Sequence, residues 1–93
     1  MSFRRYNLAM SRATAIDALI GRNVRALRAF HALGQEDLAG MMAAQHPTWT
    51  RQTVSEVERG RRGVLVSEVL TLTNVLDVEL VRLVGLGQFI QKR

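Results

Sequence analysis

Ninety-three residues, 47% of them hydrophobic and 23% charged, describe one small folded domain and leave too little chain for two. The absence of cysteine excludes disulfides, Cys-ligated zinc, iron–sulfur clusters and thiol catalysis. Thirteen Lys and Arg against eight Asp and Glu give a net charge of +5 and a pI of about 11.3, which points to a polyanionic partner.

Residues 1–12 are polar and basic (Arg4, Arg5, Arg12) with little periodicity, and read as a flexible N-terminal arm. From Thr14 the pattern changes. Thr14-x-x-Asp17 reads as a capping-box variant, and Ile16, Ile20, Val24 and Leu27 recur at helical spacing, which predicts a first helix ending near His31. A second is expected from Gln35 to about Ala44, with Gly34 as N-cap, Glu36 and Asp37 in its electropositive first turn, and Leu38, Ala39 and Met42 on one face. Gln45-His46-Pro47-Thr48 then breaks the pattern.

Thr50 is a good N-cap for a third helix running to Arg59, with Val54 and Val57 inward and Gly60 as left-handed terminator. A fourth, from about Val66 to Leu76, presents Val69, Leu72 and Leu76, with Ser67 as candidate cap. A fifth, from about Glu79, presents Leu80, Leu83 and Val84. Val64-Leu65-Val66 is too short for a strand and reads as a connector. The expectation is an all-α, compact five-helix bundle over residues 13–85, followed by a tail, 86–93, whose Leu86, Phe89 and Ile90 suit a dimer contact.

The charge is unevenly spread. Residues 1–66 hold ten cations and five anions, residues 67–93 three of each, and twelve of the thirteen cations are arginine. Arginine's planar fork matches phosphates and guanine edges, although a GC-rich genome would also favour it.

Two strings carry a resemblance. Gln35-Glu36-Asp37-Leu38-Ala39 and Thr50-Arg51-Gln52-Thr53-Val54-Ser55-Glu56-Val57-Glu58-Arg59-Gly60-Arg61-Arg62 resemble the phage repressor and Cro-like (XRE) helix-turn-helix regulators, in register from about Ile20 to Val84. The resemblance implies a lambda-repressor-like DNA-binding domain whose third helix, 51–59, lies in the major groove. It assigns base reading to Arg51, Gln52, Ser55 and Glu56. By chemistry, Arg51 would fork onto guanine, Gln52 onto adenine, and Glu56 would accept from a cytosine amino group. Gln35, at a helix N-terminus, takes a phosphate, and Thr50, Thr53, Arg59, Arg61 and Arg62 flank the reading face as further phosphate contacts. Arg28 and Glu58 are implied to be a structural pair.

The chain departs from the family pattern at three places. The stretch from Ala39 to Thr50 is about five residues longer than the family turn and contains His46, Pro47 and Trp49, of which Trp49 reads as a core plug. Ala32 stands where glycine usually closes the first helix, which predicts a differently shaped or strained corner. Val64 and Leu65 stand where a proline or hydroxyl cap often opens the fourth.

The function expected is that of a sequence-specific double-stranded-DNA-binding transcriptional regulator, a repressor of phage or bacterial type. It would act as a homodimer on a palindromic operator, without catalysis, cofactor, metal or small-molecule ligand. No run approaches the roughly 18 apolar residues of a membrane span and no secretory signal is evident, so a soluble cytoplasmic protein is expected. Three alternatives stay open: an antitoxin binding DNA and a toxin, an all-helical protein-interaction module without specific DNA binding, and a nonspecific coating protein that uses the same arginines.

Overall fold

The computed structural model describes the backbone of residues 2–85 and the side chains of residues 15–85. The 86–93 tail and the side chains of Arg4, Arg5 and Arg12 lie outside the described residues. Among the described residues every regular element is helical: α1 (Ser2–Phe30), α2 (Gln35–Ala43), α3 (Arg51–Glu58), α4 (Val66–Val75) and α5 (Leu80–Leu83).

The first helix departs from expectation. Its backbone begins at Ser2, so residues 2–12, expected as an arm, are a helical extension, and Thr14 is an interior position rather than a cap. The physical reason is the lack of any breaker: Leu8, Ala9, Met10, Ala13 and Ala15 favour helix, and neither proline nor glycine occurs before Gly21. The helix closes at Ala32, whose φ of 56° is left-handed. There Leu33 N–H reaches back to the Arg28 carbonyl at 3.0 Å and Ala32 N–H to that of Ala29 at 3.0 Å.

Alpha-2 is capped in reverse, since glycine offers no side-chain oxygen: the Gly34 N–H donates to the Asp37 carboxylate at 2.7 Å. Its buried face is Leu38, Ala39 and Met42. The chain then crosses residues 44–50, held by His46 N–H to the Met42 carbonyl at 2.8 Å and Trp49 N–H to the His46 carbonyl at 2.9 Å. Thr50 and Thr53 cap α3 reciprocally, and Gly60, at φ 72°, ends it. Alpha-4 is opened not by Ser67 but by Glu68, whose carboxylate accepts the Leu65 N–H at 2.9 Å. Alpha-4 closes as α1 does, with Asp77 at φ 53° and Val78 N–H on the Thr73 carbonyl at 3.0 Å.

Alpha-1 packs on α3 and α5, α2 on α3 and α4, and α4 on α5. The core they enclose is Ile20, Val24, Leu38, Ala39, Met42, Trp49, Val54, Val57, Val69, Leu72, Leu76 and Leu83. Of the other expected members, Leu27 and Val84 are partly buried against it, while Ile16 is 54% and Leu80 46% exposed. Ile16 precedes the stretch of α1 that meets α3, and α5 is a single turn that can aim only Leu83 inward.

That meeting is close. A Cβ built on Gly21 would lie 2.1 Å from the Val57 carbonyl oxygen, so α1 and α3 touch backbone to backbone at a position where any side chain would part them. Asn23, two residues along, donates its amide to the Leu83 carbonyl at 2.8 Å and ties α1 to the end of α5.

Candidate nucleic-acid interface

Three helices converge on a polar cleft of about 280 Å³ lined by Arg25 and Arg28 of α1, Gln35 of α2, and Arg51, Ser55, Glu58 and Arg59 of α3 and its C-cap. Four arginines against one glutamate leave the lining at a net +3.

The floor of the cleft is fixed from within. Arg28 Nε donates to Glu58 Oε2 at 2.6 Å and Nη2 to Oε1 at 3.1 Å, while Nη1 donates to the Leu33 carbonyl at 2.8 Å. Gln35 Nε2 adds a bond to Glu58 Oε1 at 3.1 Å. The Glu58 side chain is 4% exposed and Arg28's 16%. Donation to Glu58 raises the Arg28 guanidinium above its ordinary value, against the opposing effect of burial, and three hydrogen bonds hold the side chain in place. Arg28 and Glu58 therefore cancel each other, and the charge of the cleft belongs to Arg25, Arg51 and Arg59. Among the described residues no carboxylate lies within ion-pair distance of those three.

The expected base-reading residues divide. Arg51 and Gln52 are exposed on the first turn of α3, where an N-terminal reading position belongs. Ser55 lines the cleft, and Glu56 is half-buried with its carbonyl accepting the Arg61 N–H at 2.9 Å. The expected phosphate contacts divide as well. Arg59 lines the cleft and Arg61 is exposed on the loop after α3. Thr50 and Thr53 direct their hydroxyls at each other's backbone in the cap. Gln35 faces Glu58, so its amide orients that carboxylate as well as facing the cleft.

Arg62 has a different place altogether. Its guanidinium donates to both oxygens of Glu68, Nη1 to Oε1 at 3.1 Å and Nη2 to Oε2 at 3.0 Å, and lies 5.3 Å from the Trp49 ring centre. Trp49 is buried at 3% exposure and donates Nε1–H to Glu68 Oε2 at 2.9 Å. The core-plug reading of Trp49 thus describes its position, and the ring also carries a polar tether. Burial alone pushes the Glu68 carboxyl up, but donation from Arg62, Trp49 and the Leu65 amide, with the Arg62 charge, outweighs it and holds the group at about 2, far below its ordinary 4.5.

Sequence reasoning missed three functional or supporting residues. Arg25 stands one turn before Arg28 on the same helix and was legible as an i, i+3 pair. Glu68, at the third position of α4, carried the spacing of a capping glutamate behind Leu65. Gly21 left no local signal, because its reason is the Val57 carbonyl 36 residues later.

Comparisons with protein-family models, with curated proteins and with solved structures find no match for this chain.

Proposed function

We propose that this protein is a sequence-specific double-stranded-DNA-binding regulator of the phage repressor and Cro-like helix-turn-helix type. In this reading α2, residues 44–50 and α3 form the motif, α3 enters the major groove, and the protein represses transcription from bacterial or phage operators in the cytoplasm. The observation that carries the reading is the cleft. Arg51 at the start of α3, Ser55 one turn on, and Arg25 and Arg59 beside them share one electropositive surface, with Gln52 exposed next to it. Arginine and glutamine at consecutive exposed positions supply the two forks that match guanine and adenine edges. The unpaired arginines supply backbone contacts. Arg61 extends the charged surface past the end of α3.

A single unit of this size covers about half a helical turn, so the operator is expected to be palindromic and the protein a homodimer on it. The test is selection of bound fragments from a random duplex pool at about physiological salt, where nonspecific binding is weak. Recovery of a palindrome with half-sites about one helical turn apart is the expected result. Retention of DNA without a motif would reduce the protein to a nonspecific coating function, and no retention at all would sink the DNA reading.

A second reading rests on a separate observation. Leu65, Val66 and Leu70 are 65%, 78% and 52% exposed around the start of α4. Such a surface favours a protein partner, as in an antitoxin-type regulator or an interaction module. Full retention of DNA binding by a Val66→Asp, Leu70→Asp variant, with loss of a co-purified partner, would favour the antitoxin form.

A further inference from the structure

One buried carboxylate collects the chain on both sides of α3. Trp49, immediately before the Thr50 cap, donates to Glu68 Oε2 at 2.9 Å. Arg62, two residues past the Gly60 terminator, donates to both Glu68 oxygens, and the Leu65 N–H donates to Oε1. The two tethered side chains also stack, with Arg62 over the Trp49 ring. Four N–H donors thus converge on a group that is 3% exposed, and every one belongs to a segment leading into or out of α3 or opening α4.

We propose that Glu68 is the positioning residue of α3: its carboxylate fixes the angle of that helix by pinning the residues before and after it to the start of α4. This rests on the reading of α3 as the DNA-contacting helix. The inference accounts for the long connection of residues 44–50. The backbone bonds of that connection, His46 to Met42 and Trp49 to His46, are local and do not reach α4, whereas the Trp49–Glu68 bond does. On the other side, Arg62 cannot serve as a phosphate contact and as the second tether with the same donors. The structure directs it to Glu68 and leaves Arg61 to face outward.

Glu68→Gln is the informative substitution, because it keeps shape and replaces one acceptor oxygen by an NH2 group. Whichever oxygen is lost, two of the four donors lose their partner and Arg62 loses its counter-charge. Two measurements are made on the full-length protein well below its melting temperature. The first, without DNA, is native-state hydrogen exchange. The amides of residues 54–60 are expected to lose protection by on the order of tenfold or more, while those of α1 and α2 change much less. Emission of Trp49, the sole tryptophan, checks that the tether has been released. The second compares affinity for the selected duplex with affinity for a random one. The ratio is expected to fall by about tenfold or more while random-duplex affinity is kept.

Uniform loss of protection across all helices would overturn the proposal, since it would make Glu68 a general stabiliser. A selective loss in α3 with an unchanged ratio would also overturn it, because the orientation of α3 would then not depend on the carboxylate. If wild-type protein does not distinguish the two duplexes, the DNA reading fails on its own, and the exchange measurement alone decides whether Glu68 positions α3. Should Glu68→Gln not fold, Arg62→Met removes only the tether past α3, retains Trp49 as reporter, and is read by the same two measurements.

Discussion

Ala32 occupies left-handed backbone at φ 56°, where an L side chain crowds its own carbonyl at a cost of about 1–2 kcal/mol. Asp77 has the same geometry at φ 53°, but aspartate tolerates that region better than alanine does. Ala32→Gly is accordingly expected to stabilise the fold by about 1 kcal/mol, seen in thermal unfolding as a rise of about 4–8 °C, and no rise would show that the corner is relaxed by other means. Arg51 makes the corresponding prediction for activity. Arg51→Ala should cost roughly 1–3 kcal/mol on the selected duplex and little on random DNA, measured by titration at fixed salt, because a base-edge contact is lost only where the base is right. Equal losses on both would move Arg51 to the phosphate class. At this scale the sequence was informative wherever a residue departs from a local rule: alanine at a helix-closing position is visible without a structure. The spacing of Glu68 showed only its cap on Leu65 and not the tether, since its partners at 49 and 62 are brought together by the packing of α3 on its neighbours.

Between elements, the decisive contact is the one with no side chain in it. Glycine in a helix interior costs about 1 kcal/mol against alanine, yet at residue 21 the preference reverses, because a methyl group would meet the Val57 carbonyl oxygen at 2.1 Å. Gly21→Ala is expected to force α1 and α3 apart and destabilise by about 1–3 kcal/mol despite the better helix propensity. A lowered melting temperature, with amide chemical-shift changes centred on Val57 and Glu58, is the measurement. The helices themselves were legible from hydrophobic spacing and caps: Gly34, Thr50 and Gly60 stand at the boundaries where their chemistry puts them. The start of α1 was not, because residues 2–12 continue the helix without hydrophobic periodicity or a cap to mark where it begins. Conversely, Ile16 and Leu80 are correctly spaced for a core face yet lie outside the core, because spacing alone does not show where a neighbouring element packs.

For the molecule as a whole, the lowered Glu68 carboxyl ties stability to acid. Its folded value of about 2 lies below its ordinary 4.5, so the unfolded chain binds the proton first. The stability it contributes is complete above about pH 4.5 and is lost as the pH falls from there toward about 2. Melting temperature should therefore fall over that window in the wild type and fall less in Glu68→Gln, and parallel curves would show that other carboxylates control the acid limb. The electropositive cleft was only partly readable from the sequence. Arg51, Arg59 and the Arg28–Glu58 pair announced themselves by motif, whereas the presence of Arg25 at the same cleft depends on how α1 crosses α3.

The tether at Glu68 also has a consequence in time. Its partners lie 3, 6 and 19 residues away along the chain, while the Arg28–Glu58 pair spans 30 and the Asn23–Leu83 bond 60. Loop-closure entropy grows as the logarithm of the span, so closing over 60 residues costs about 2 kcal/mol more than closing over 6. The order of assembly with the least entropic cost forms α3, its flanking turns and the start of α4 first, as a local unit around one carboxylate. Alpha-1 then docks its glycine onto a helix whose orientation has already been decided.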